Sequence, residues 1–112
     1  MSEEQVRQIE VDINVAKASI QKADALDKLY ANSAFKHVIT DGYLGEEARR
    51  LVLLKAEPAM QEPAHQERIT KGIDAIGYLN QYLRSVFAIA DMAEKALADN
   101  EATRDELLAN EG

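Results

Sequence analysis

The sequence predicts an all-α fold: an antiparallel hairpin of two long helices capped by two short helices, a helical bundle that oligomerisation can complete. Three observations predict it. Val6, Ile9, Ile13, Ala16, Ile20 and Ala23 recur at alternating spacings of three and four, the pattern of a helix that meets another helix along one seam. Ile69, Ile73, Ile76, Leu79, Leu83, Phe87, Ala90 and Leu97 line one face of a second long helix. Between them, residues 33–60 hold Gly42, Gly45, an Asp41-Gly42 pair and Pro58, the punctuation that turns a chain back on itself.

Each element has a local reason. Ser2-Glu3-Glu4-Gln5 has the form of a capping box. Neither proline nor glycine interrupts residues 2–31, so one helix of about 28 residues, roughly 42 Å, is expected. Asn32 or Ser33 can cap a short helix carrying Phe35, Val38 and Ile39. Gly42 is expected to end that helix in the left-handed conformation. Glu46 and Glu47 then sit where acids favour a helix start, and a second short helix carries Ala48, Leu51, Val52 and Leu54 to about residue 56, where Pro58 stops it. Phe35, Val38, Ile39, Tyr43, Leu44, Leu51 and Leu54 are expected to plug one end of the hairpin.

Residues 57–63 read as a loop, with Pro63 suited to the first turn of the last helix. That helix is expected to reach about residue 98. Gly72 and Gly77 lie inside it, each costing about 1 kcal/mol relative to alanine, which points to close backbone packing against Tyr43 or its surroundings. Seven acids and two bases from Asp91 to Gly112 set the end of the chain apart. The expected organisation is a helical domain over 1–99 and an acidic tail over 100–112, solvated or ordered on a partner.

Composition narrows the function. The 112 residues carry 20 acids against 13 bases, a net charge of −7, whereas phosphate recognition needs an excess of Lys and Arg on one face; no direct nucleic-acid binding is expected. The same charge argues against attraction to anionic membranes, and no apolar run approaches the roughly 20 residues of a membrane span. There is no cysteine, so thiolate chemistry and Cys-based zinc sites are excluded. The polar N-terminus is unlike a signal peptide.

Candidate chemistry is sparse. Glu62-Pro63-Ala64-His65 matches half of a di-metal helix motif, but His37 follows Ala34 and supplies no second half. Asp41, Glu46 and Glu47 read as turn and helix-start acids rather than paired catalytic carboxylates. No phosphate-binding glycine loop or His-Glu-x-x-His is present. No catalytic residue, cofactor or metal is expected, and the chain reads as a non-enzyme. Candidate partner-binding residues are Arg49 and Arg50, and the Tyr78, Tyr82 and Arg84 flank, because tyrosine and arginine are enriched in interface hot spots. The competing expectation for the arginines is pairing with Glu46 or Glu47 one turn away. The candidate self-association seam is Val6, Ile9, Ile13, Ala16 and Ile20.

Residues Phe35, Lys36, Ile39, Gly42, Tyr43, Glu47, Ala48, Arg50 and Leu51, followed by Pro58, Met60, Gln61 and Pro63, and then by Ile76, Gly77, Leu79, Tyr82, Leu83 and Arg84, form a pattern that resembles a family of small all-helical proteins encoded by tailed bacteriophages. The resemblance covers roughly residues 10 to 100. It implies a virion structural or assembly role, and it brings no catalytic residues with it. The expected function is therefore non-enzymatic binding as a virion-associated or head-assembly component, self-associating, located in the virion or host cytoplasm. The alternative is a phage host-takeover or anti-defence inhibitor that binds a bacterial nucleic-acid enzyme. Its acidity suits that role, although Lys and Arg are interspersed along residues 7–71.

Overall fold

Helix-forming residues dominate the chain, and the architecture follows from where they are interrupted. The structure, a computed structural model, describes the backbone of residues 2–111 and the side chains of residues 3–110. In order, the elements are α1 (Ser2–Ala31), α2 (Ser33–Phe35), a π-helical stretch (Lys36–Glu47), α3 (Ala48–Lys55), a 3-10 turn (Pro58–Met60) and α4 (Pro63–Glu111). No strand occurs among the described residues. The chain is all-α, with long N-terminal and C-terminal helices and a shorter helical segment between them. The Ser2 side chain of the expected capping box lies outside the described residues.

The middle segment differs from the expected pair of short helices. Asn32 does cap it: its backbone is extended, and its Oδ1 accepts a 2.9 Å bond from the Phe35 amide. Thereafter the backbone stays helical through to Lys55. Gly42 does not end a helix, since no described residue has a positive φ. The wider π turn explains the glycine instead. A Cβ at position 42 would lie 2.9 Å from the carbonyl oxygen of His37, five residues back. Glu46 and Glu47 likewise sit inside a continuous helical run rather than at a fresh start.

The end of α3 is closed by side chains. Gln61 Nε2 donates to the carbonyls of Lys55 (3.0 Å) and Glu57 (2.7 Å), and Gln66 Nε2 donates to those of Lys55 (2.9 Å) and Met60 (2.8 Å). Two carboxamides thus satisfy the Lys55 carbonyl, one of those that the end of a helix leaves without an amide partner in the helix. Pro63 opens α4 as its position predicts. The helix does not stop near residue 98. It passes Asn100 without a break and runs 49 residues to Glu111.

Two compact units divide the chain. The first comprises Met1–Leu26 and Ser85–Gly112. Within it, Gln5, Gln8 and Ile9 adjoin Thr103 and Leu107, while Asp12, Ala16 and Ser19 adjoin Ile89, Ala93 and Ala96. Residue numbers rise along α1 as they fall along α4, so the two helices run antiparallel. Ile13, Ala16, Ala23, Leu26, Val86, Ala90 and Ala93 are buried. Four of these seven are alanine, which lets the backbones approach closely but removes little apolar area from water per residue.

The second unit is Asp27–Arg84. Its core is Leu51, Ile69 and Ile76, with Tyr43, Leu44, Ala48, Leu54, Met60 and Ile73 packed around it. Tyr43, Leu44, Leu51 and Leu54 therefore serve as expected. Val38 is exposed instead, and Phe35 packs edge-on against Tyr30 with ring centroids 5.8 Å apart. Gly72 lies against Leu51, whose Cδ1 would be 3.1 Å from a Cβ there. Gly77 has nothing within 4 Å of that position. Close packing explains the first glycine and not the second.

Candidate functional site

The seam expected to mediate self-association is partly buried within one chain. Ile13 is 3% exposed and Ala16 is buried, while Val6, Ile9 and Ile20 are half-buried. They lie on the face of α1 that meets the C-terminal half of α4 inside the first unit. Their a/d spacing is met by α4 of the same molecule.

The arginine pair separates into two behaviours. Arg50 makes a bidentate pair with Glu47, Nε to Oε1 at 2.5 Å and Nη2 to Oε2 at 3.0 Å. The hydrogen bond from Arg50 holds the Glu47 carboxyl below its ordinary value, and the same bond raises the Arg50 guanidinium. The local pairing one turn apart thus accounts for Arg50. Arg49 is exposed, and no carboxylate partner for it occurs among the described residues.

Tyr78 and Tyr82 stand one turn apart on α4 in the second unit, 69% and 56% exposed. Arg84 is exposed two residues further on. The edge of α4 therefore presents two aromatic rings and a guanidinium on a long helix, whose backbone is already ordered before any partner arrives. Arg49 and Arg50 stand on α3, a different element from the Tyr78, Tyr82 and Arg84 edge of α4.

The acids and histidines occupy ordinary surface positions. His65 is half-buried, with Glu62 Oε2 3.9 Å from its Nε2 and Arg68 against its Nδ1. Arg68, His65, Leu51, Leu54, Met60 and Ile69 surround a hollow of about 340 Å³ in the second unit. Among the described residues, no three His, Asp or Glu side chains converge as metal ligands would. No described helix is long and apolar enough to cross a membrane.

One surface escaped the sequence reading. In the first unit, Val11, Val15 and Ala18 on α1, and Ile89, Met92 and Ala96 on α4, are exposed. The first set is spaced four then three and the second three then four, both spacings of a helix-packing seam. The signal was present, but on both helices a second apolar stripe ran beside the one already assigned. Val15, Ile89 and Met92 flank a groove of about 450 Å³ with Ala16 and Ala93 in its lining.

Comparison with family models, curated proteins and solved structures gives no match.

Proposed function

We propose that this chain acts by protein–protein binding rather than catalysis, as a virion-associated or head-assembly component of a tailed bacteriophage. The observation that carries the binding reading is the exposed Tyr78–Tyr82 pair on α4. Large amphipathic rings lose few degrees of freedom when they dock, and they dominate hot spots where buried. Arg84 beside them adds a donor fork for a carboxylate or backbone carbonyl. The phage setting rests on the resemblance carried by Phe35 to Arg84.

Quantitative mass spectrometry of gradient-purified particles from the encoding phage tests this. The chain is expected at fixed stoichiometry, and the double substitution Tyr78→Ala/Tyr82→Ala is expected to reduce its incorporation at least tenfold while leaving helicity unchanged. Both rings are exposed, so their loss acts on binding before folding. Absence from particles together with abundance in infected cells would overturn the virion reading. It would favour the host-directed inhibitor, whose complex with a basic enzyme would weaken steeply with salt because of the net charge of −7.

A further inference from the structure

We propose that the hollow between α3 and the start of α4 in the second unit binds a small free monocarboxylate with an apolar body, of the medium-chain fatty-acid class. The site involves neither Tyr78, Tyr82 nor Arg84, and it does not depend on the protein-binding reading.

The walls set the chemistry of the ligand's body. Leu51 and Leu54 come from α3, Met60 from the 3-10 turn and Ile69 from α4. Leu51 and Ile69 are buried in the core of this unit, and Leu54 and Met60 pack half-buried against it. The hollow therefore continues the apolar core. Its volume of about 340 Å³ lies at the small end of the range for ligand sites. At about 30 Å³ per water-sized group, roughly eleven such groups fit. The Gln61 and Gln66 carboxamides, bonded to the carbonyls of Lys55, Glu57 and Met60, brace the turn that carries the Met60 wall. The unbranched Met60 thioether lets that wall adapt to a ligand's shape.

The two polar residues of the lining set the chemistry of the head. Arg68 is exposed and His65 half-buried, one turn apart on α4. Arg68 has no carboxylate partner among the described residues; its polar contact there is His65 Nδ1. A guanidinium only donates, so Nδ1 accepts and the ring proton lies on Nε2. Glu62 Oε2 stands 3.9 Å from Nε2, beyond hydrogen-bond range, and the Glu62 side chain is 80% exposed. Most of the guanidinium N–H groups and the Nε2–H are thus donors without a protein acceptor.

Donors alone, beside an apolar hollow, select an acceptor-only head on an apolar body. A carboxylate is such a head, and its two oxygens match the planar guanidinium fork. An ammonium head would meet a like charge. An apolar ligand with no head would cover the donors and leave them unpaired, which costs affinity. The net charge of −7 opposes anions at long range, so binding falls to the local fork and the apolar walls together, and neither part of the ligand suffices by itself.

Titration of octanoate into the isotope-labelled full chain, followed by amide NMR shifts, tests this. Saturable binding with a dissociation constant below about 1 mM is expected, with the largest shifts around Leu51, Leu54, Met60 and Ile69. Octanol, the body without the head, and acetate, the head without the body, are each expected to bind roughly tenfold more weakly or worse. Arg68→Gln removes the charge from an exposed position. It is expected to weaken octanoate by roughly tenfold or more with circular dichroism unchanged. The ligand comparison uses the unaltered chain, so it decides the matter even if the variant fails to fold. No saturation by about 10 mM octanoate, ten times the expected bound, would overturn the proposal. So would octanol binding as tightly as octanoate, or a folded Arg68→Gln chain that binds octanoate unchanged.

Discussion

At the scale of single residues, identity proved less informative than what each residue meets. Five glycines punctuate the chain, and two of them show opposite physics. Gly42 lies where a Cβ would come within 2.9 Å of the His37 carbonyl oxygen, a backbone atom that moves only if the π turn changes. Gly42→Ala is expected to destabilise by about 1–3 kcal/mol, the usual range of overpacking. Gly77 faces open space, so Gly77→Ala should gain about 1 kcal/mol of helix propensity and raise Tm by roughly 4–8 °C for a domain of this size. Thermal melts at equal protein concentration check both signs. The sequence announces both positions merely as glycine. Sequence reading does capture Arg50, because its Glu47 partner lies one helical turn away.

Among the elements, those with local causes were legible and those with distant causes were not. The Asn32 cap, the Pro58 stop and the Pro63 start arise from neighbours within a few residues, so they can be read directly. The π-helical stretch cannot be. Asp41-Gly42 is chemically the same signal whether it ends a helix or relieves crowding inside one. Packing of Tyr43 and Leu44 onto the Leu51, Ile69 and Ile76 core accompanies the second outcome. The end of α4 shows the same division. Seven acids after residue 90 look like a solvated tail, yet Leu107 is half-buried and borders a hollow with Gln5, Gln8 and Ile9. Amide hydrogen exchange should therefore find residues 100–107 protected well above unfolded-chain rates, with fraying limited to the last turn. Exchange at unfolded rates from residue 100 onward would restore the tail reading.

For the molecule as a whole, surface and charge oppose each other. Large apolar side chains stand exposed on α1 and α4, among them Val15, Ile89 and Met92, while a net charge of −7 keeps copies apart. If apolar pairing wins, folding and association are linked, and stability depends on protomer concentration. Tm is expected to rise by several degrees across a 100-fold increase in protein concentration, by a mass-action gain of about 2.7 kcal/mol at most. An Ile89→Lys/Met92→Lys chain should show no such rise. Differential scanning calorimetry at two concentrations separates these cases.

By itself the sequence determined that this protein is helical and where its long helices begin, because periodicity, caps and breakers act over a turn or two. Only the tertiary structure decided which apolar stripe is closed inside the chain and which remains open. Two seams of similar spacing run along α1 and α4, and periodicity cannot rank them. The choice is made when the start of α1 meets the end of α4, a contact between segments that lie almost the whole chain apart in sequence.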